Sequence, residues 1–298
     1  MSDRFVVLGA NGLVGARLCR ILAKEPITVI GLGRGQLTGG VFRYVEADLT
    51  RFETLGQTLQ SARPDVVINC AGLTDVDACE TRRLDAWTIN AELPARLAEY
   101  SKQLGFHLVQ VSTDYVFDGE NGPYDIDALP NPRGVYALTK HAGEQAVKAL
   151  GGSWTIARTA VVYGWPQANR SNFGAWLVSS LKAGKPVRLF EDQYVSPSLA
   201  LNVAQMLFEL GRRRMSGVWH TAGASVVDRV AFGRALCRVF GFDESLITPS
   251  RIADANLASP RPPRCGLKVD RTISELVARP LQLEDSLEWF HAEYRSAP

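Results

Sequence analysis

Short apolar runs recur through the first half of the chain. RFVVLG, ITVIGL, VFRYVEAD, DVVINCAG, FHLVQVST and WTIAR, between residues 4 and 158, are rich in Val, Ile and Phe, and amphipathic helical patterns separate them. Near-continuous apolar runs are what strands buried on both faces require. Six of them alternating with helices predict an α/β fold, a Rossmann-type doubly wound parallel sheet. After Arg158 the alternation lapses. Residues 161–197 mix Trp165, Phe173 and Trp176 with glycines and prolines. A helix near 199–211 and the strand VWHTAG point back to the main sheet, while the proline-rich SPRPPRCGL reads as part of a smaller lobe. The expected organisation is a nucleotide-binding domain over residues 1–158, completed by elements from about 199–222, and a mainly substrate-binding C-terminal lobe over 159–298. A cleft between them is the expected site.

The first run leads straight into FVVLGANGLVGARLCRIL, with Gly9, Gly12 and Gly15 three apart at a strand end and a helix start. Such glycines serve a tight turn, close approach of a pyrophosphate, and close helix–sheet packing, and the helix N-terminus faces the phosphates with unpaired amides. Dinucleotide binding follows. The second run ends in GLGRGQ, without the acid that an NAD site offers the ribose hydroxyls. Arg34 stands there instead, and a guanidinium pairs well with a 2′-phosphate, so NADP(H) is favoured over NAD(H). Asp48, after the third run, has two readings: a contact to the adenine edge, or a helix N-cap ahead of Leu49 and Thr50.

The fifth run ends in Ser112, Thr113, Asp114 and Tyr115, which places a hydroxyl, a carboxylate and a phenol at the mouth of the sheet. The helix GVYALTKHAGEQAVKAL, residues 134–150, follows and carries Tyr136 and Lys140 four apart on one face. Reducing a ketone takes a hydride on carbon and a proton on the developing alkoxide. A free phenol has a pKa near 10, and a neighbouring ammonium lowers it. On this reading Lys140 lowers the pKa of Tyr136 and holds the nicotinamide ribose, Thr113 hydrogen-bonds the same oxygen, and Tyr115 lines the pocket.

Composition removes other classes. The 298 residues are 46% apolar and 21% charged with net charge +2, so no strong attraction to nucleic acid or anionic membrane is expected. The triplet Arg212, Arg213, Arg214 reads as charge at a helix C-terminus. Five cysteines without CxxC spacing suit reduced thiols in a cytoplasmic protein. MSDRFVVLGA is too short an apolar run for a signal peptide, and no stretch approaches the ~20 apolar residues of a membrane span. The four histidines have no ligand spacing, so no metal is expected: His107, His220 and His291 read as core or surface and His141 as helix surface. Asp125 and Asp127 read as a solvated loop. Trp165, Phe173 and Trp176 are either core or a stacking surface for a base.

Together these residues resemble an extended short-chain dehydrogenase/reductase. VINCAGLTDVDACE at 67–80, STDYVFDG at 112–119, ARTAVVYG at 157–164, DQYVSPSLALNVA at 192–204 and RPPRCGL at 261–267 resemble its dTDP-4-dehydrorhamnose reductase (RmlD-like) branch over nearly the whole chain. The resemblance implies hydride transfer from NAD(P)H to the C4 ketone of a nucleotide-linked 6-deoxysugar, with Thr113, Tyr136 and Lys140 as the triad. It implies that Asn11, Leu13, Leu49, Ala71, Gly72 and Leu73 join Gly9, Gly12, Gly15, Arg34 and Asp48 along the cofactor. Val76, Asp77, Tyr115, Phe117 and Val161 are implied near the sugar. Related 4,6-dehydratases carry Asp-Glu after the Ser/Thr; here Tyr115 follows Asp114, which favours a reductase. Leu73 and Val161 stand where relatives have Tyr and Trp, Ala137 stands where glycine is commoner, and Asn202 stands where Asp is frequent. A reshaped sugar pocket is therefore expected. Two other readings share the motifs: an NADP-binding regulator resembling the methionine adenosyltransferase regulatory subunit, and a sugar-nucleotide epimerase. A nucleotide sugar is the expected partner, and the assembly is left open between monomer and homodimer.

Overall fold

The computed structural model describes residues 3–35, 37, 41–166 and 171–296. The first half runs β1 (Arg4–Leu8), α1 (Leu13–Leu22), β2 (Thr28–Gly33), β3 (Arg43–Glu46), α2 (Phe52–Ala62) and β4 (Val66–Asn69). It continues with α3 (Val76–Thr81), α4 (Arg83–Trp87), a π-helical turn (Thr88–Glu92), α5 (Leu93–Leu104), β5 (His107–Thr113), α6 (Gly134–Leu150) and β6 (Ser153–Thr159). All six apolar runs are strands. The second half contains β7 (Val162–Tyr163), α7 (Phe173–Lys182), β8 (Val187–Phe190), β9 (Tyr194–Val195), β10 (Ser198–Leu199) and α8 (Ala200–Arg212). It ends with β11 (Gly217–His220), β12 (Val227–Asp228), α9 (Arg229–Phe240), β13 (Ile247–Ser250), α10 (Asp270–Glu275) and α11 (Leu283–Arg295).

The main sheet has the order β11-β6-β5-β4-β1-β2-β3, with every pair parallel. Alternation within β1 explains its two covered faces. Phe5 and Val7 join Leu18 and Leu22 of α1 and Val203, Leu207 and Leu210 of α8. Val6 and Leu8 join Leu55 and Leu59 of α2, Leu93 and Leu97 of α5 and Val147 of α6. Each such buried aliphatic side chain contributes about 1.5–3 kcal/mol, so α8 and β11, distant in sequence, are drawn onto the first sheet. The strand order reverses between β1 and β4, and in such sheets the crevice beyond the strand carboxyl ends at that point takes the ligand.

The remaining pairs are two-stranded: β7 with β10, β8 with β13, and β9 with β12. They surround a second core built on Leu177, Leu181, Leu189, Phe232, Leu236 and Phe290. Trp165 and Phe173 pack against this core, which answers their open reading, and Trp176 stays 42% exposed beside Phe173. SPRPPRCGL is a strap across the domain's loops. Its Ser259 amide donates to Asp77, its Arg264 amide to the Gly119 carbonyl, and the Tyr124 amide donates to its Gly266 carbonyl.

Several local expectations change. Asp48 is no helix cap: α2 starts four residues later, with Arg51 at the cap position, and Asp48 instead closes a turn by accepting from the Thr50 amide and hydroxyl. His141 is half-buried rather than surface. His107 is buried, its ring nitrogens 2.7 and 2.8 Å from the Ser153 and Thr155 hydroxyls. The arginine triplet at the end of α8 pairs locally, Arg212 with Glu25, Arg213 with Glu209, and Arg214 with Asp3 and Asp65. No helix among the described residues is long and apolar enough to cross a membrane, and none of their His, Cys, Asp or Glu side chains cluster as metal ligands.

Candidate active site

Beyond Leu8 the chain turns through Gly9 at φ +73°. A Cβ on Gly9 would lie 2.8 Å from the Ala71 nitrogen, and one on Gly15 would lie 2.2 Å from the Gly9 carbonyl oxygen. Neither position has room for a side chain, and the gap they leave lets α1 approach the strand ends. Gly12 caps α1 without a side-chain bond, so the first-turn amides face outward, ready for an anion. A cleft of about 300 Å³ opens there, walled by Gly9, Asn11, Gly12, Arg34, Asp48 and Leu49 on one side and Ala71, Gly72 and Leu73 on the other. Leu13 and Gly15, in the first turn of α1, do not line it. Arg82, Asp85, Thr88 and Ile89 complete the cleft. They carry no motif, and an i, i+3 ion pair of 2.8 Å between Arg82 and Asp85 was the only local signal.

The edge of the cleft is polar and cationic. The Asn11 side-chain amide donates to the Arg34 carbonyl, and the Gly35 amide donates to Glu46 at 3.1 Å, which fixes the loop after β2. The Arg34 side chain is exposed. Asp48 is held below the usual carboxylate range by the Thr50 hydroxyl and amide first, then by the fields of Arg34 and Arg51. Uncapped amides, glycines that exclude side chains, and an exposed guanidinium at the rim fit a phosphorylated dinucleotide.

β5 and α6 bring the three reactive groups together. Tyr136, Lys140 and Glu144 follow one face of α6, and the Lys140 ammonium donates to the Val111 carbonyl of β5 at 2.7 Å. Tyr136 is only 8% exposed, with the Thr113 hydroxyl near enough to act on its phenol and the Tyr115 ring edge-on at 5.8 Å. The expectation that Lys140 lowers the pKa of Tyr136 is not met in this structure. Burial pushes the phenol well above its usual value, the Thr113 hydroxyl opposes this only in part, and the neighbouring Asp114 adds to the rise. Lys140 is itself lowered to about 8 by burial, with Glu144 and Cys70 opposing. A phenol kept neutral is a proton donor rather than a base.

Nearby, Val76 and Leu73 pack with Tyr115 and Tyr136 in one apolar cluster. Asp77 faces the strap: burial raises its pKa, but the Arg261 hydrogen bond and charge and the Ser259 amide outweigh this and hold it low. Phe117, which its motif implied near the sugar, has no exposed surface. It is fully buried, stacked on Tyr124 at 4.2 Å with the Arg158 guanidinium 5.1 Å from its ring, because its large apolar ring fills the core below the strap. Val161 is half-buried at φ +38°, a backbone region that costs a β-branched residue about 1–3 kcal/mol.

Beyond the cleft residues Arg82, Asp85 and Thr88, sequence reading missed four further polar residues. Asn90, buried in the π-helical turn, accepts from the Leu73 amide and donates to the Leu73 carbonyl, both at 3.0 Å, and its amide reaches Thr139 of α6. A π-turn beside a functional loop was its only possible signature, and it is not readable from composition. Gln193 bridges the Tyr115 hydroxyl and Arg229, while Arg229 and Arg261 both place positive charge beside Tyr115. They come from distant parts of the second lobe, so only folding assembles them.

Comparison with known proteins agrees with this geometry. A protein of Haloferax volcanii named "Probable low-salt glycan biosynthesis reductase Agl14" is 36% identical over 291 residues, covering 97% of each chain. A dTDP-4-dehydrorhamnose reductase of Streptomyces griseus is 33% identical over 266 residues, 87% of this chain and 82% of that one. The crystal structure of dTDP-4-dehydrorhamnose reductase from Bacillus anthracis in complex with NADP superposes with a TM-score of 0.85 at 26% identity, covering 98% and 100% of the two chains. The family model described as "RmlD substrate binding domain" matches residues 3–296, and the chain belongs to that family.

Proposed function

We propose that this protein is an NADPH-dependent reductase of the 4-keto group of a nucleotide-linked 6-deoxysugar, with Tyr136 as proton donor. One observation carries it: Leu73, which lines the cleft shaped for a dinucleotide, packs with the buried, neutral phenol of Tyr136, and Lys140, one helical turn further on, is anchored on β5. The names of the similar reductases support the same chemistry.

The α1 amides would hold the pyrophosphate and Arg34 the 2′-phosphate, while Lys140 would reach the nicotinamide ribose. When bound, the cofactor would supply a hydride to the carbonyl carbon. Tyr136 gives its proton to the oxygen as charge develops there, and Thr113 donates a hydrogen bond to that oxygen. The phenolate left on Tyr136 is stabilised by the Lys140 ammonium, whose charge matters most at that instant. Arg229 and Arg261, whose charges reach Tyr115, would offer the substrate diphosphate a positive field. Tyr115 occupies the place after Asp114 where elimination would need a second carboxylate.

The test follows NADPH consumption with dTDP-4-keto-6-deoxyglucose, with and without a 3,5-epimerase. Tyr136→Phe should lower kcat by ~10²–10⁴ with NADPH affinity retained. Tight NADPH binding without turnover on any keto-sugar would instead identify a non-catalytic NADP-binding protein.

A further inference from the structure

Thr113 has a single proton to aim, either at Asp114 or at a substrate oxygen. A hydroxyl offers one donor and two acceptor positions. The Tyr115 amide, 3.2 Å away, occupies one acceptor position on the Thr113 oxygen. The same oxygen lies 3.0 Å from Asp114 Oδ1. If Asp114 is a carboxylate, Thr113 spends its only proton on it and has none for Tyr136 or the substrate oxygen. If Asp114 is the neutral acid, its O–H donates into the second acceptor position, and the Thr113 proton turns toward the reacting oxygen.

We propose that Asp114 is a positioning residue that, as the neutral acid, donates to Thr113 and thereby aims the Thr113 hydroxyl at the substrate oxygen. This rests on the ketoreductase reading. The surroundings of Asp114 favour the neutral form. The residue is 2% exposed, and its Oδ2 is buried without a hydrogen-bond partner among the described residues. An ionised carboxylate would leave that oxygen uncompensated, a costly arrangement. Burial raises its pKa to about 7, although the Thr113 bond, the charge of Arg229 on α9 and the Asp114 and Tyr115 amides pull the other way. The titratable groups facing it are Arg229, the neighbouring Tyr115, Tyr136 on α6 and Cys265 of the strap. Of these only Arg229 carries charge near neutrality. Asp114 is therefore neutral below about pH 7 and ionises above it.

Three variants test this under saturating keto-sugar and NADPH. The wild type should lose kcat as pH rises through the Asp114 transition near 7, ahead of a second loss assigned to Lys140. Asp114→Asn, whose amide donates at any pH, should keep kcat within ~10-fold of wild type and lack the first limb. Asp114→Leu, of similar volume with no donor, should lose ~10²-fold in kcat with NADPH affinity unchanged by fluorescence titration. Thr113→Val removes the hydroxyl on which Asp114 acts, so the first limb should vanish from its residual activity. Carbon-13 NMR of the labelled carboxyl group gives a readout independent of turnover. The idea is overturned if that carboxyl titrates near 4, if the first limb persists in Asp114→Asn or Thr113→Val, or if Asp114→Leu keeps wild-type kcat. Absence of wild-type turnover at every pH would sink the ketoreductase reading itself and is distinct from each of these outcomes.

Discussion

Arg158 at the end of β6 and Glu144 on α6 face each other fork to fork, with nitrogen–oxygen distances of 2.9 and 2.8 Å and both side chains almost fully buried. Glu144 continues the face that carries Tyr136 and Lys140, so the pair pins the reactive face of α6 to the sheet. Removing one partner leaves a buried charge alone, so Glu144→Ala should destabilise the fold by about 3–5 kcal/mol in denaturant titrations. An exchange costing under about 1 kcal/mol would show that water reaches the site and relieves Arg158.

Arg34 stands at the rim of the cleft with its side chain in solvent. A charged hydrogen bond to a 2′-phosphate contributes about 1.5–3 kcal/mol. Arg34→Ala should therefore weaken NADPH binding by roughly 10–100-fold and leave NADH binding nearly unchanged. Equal losses for both cofactors would place Arg34 on the shared part of the dinucleotide.

Gly15→Ala sets a methyl group 2.2 Å from the Gly9 carbonyl oxygen, which must be displaced. That carbonyl also accepts the Gly12 amide at 2.8 Å, so the whole phosphate turn shifts. We expect NADPH affinity to fall ~100-fold or more, with the far-ultraviolet spectrum of the fold retained. Undiminished binding would mean that α1 moves away without cost.

His107 and His220 are both buried, and burial lowers each pKa to about 4. The unfolded state, with imidazoles near 6.5, binds more protons between those values. Stability therefore is fully present above pH 6.5 and is lost as pH falls toward 4, by up to about 3 kcal/mol for each ring. His107→Gln should flatten the pH dependence of unfolding over that window. An unchanged slope would assign acid sensitivity to other groups.

The parallel sheet, its glycine turn and the Tyr136–Lys140 helix face were legible in the chain because each rests on a local pattern: near-continuous apolar runs for strands, spacing near four for the helix, three between glycines. Local spacing also brought Thr113 to the carboxyl edge of β5. It did not reveal that Phe117, in the same motif as Tyr115, would turn into the core, because two residues can share a loop and face opposite sides. Nor did it reveal Asn90, Gln193, Arg229 and Arg261, which meet the site from separate elements. Spacing further predicted a phenol with a lowered pKa. Only the packed structure decides that question, because burial depends on everything that surrounds a group, and around Tyr136 it outweighs the Thr113 hydroxyl. Patterning along the chain determined which elements form and where the reactive residues lie on them. Tertiary packing alone decided their protonation, their hydrogen-bond directions and the polar residues that close the site, because those properties arise from contacts between residues far apart in sequence.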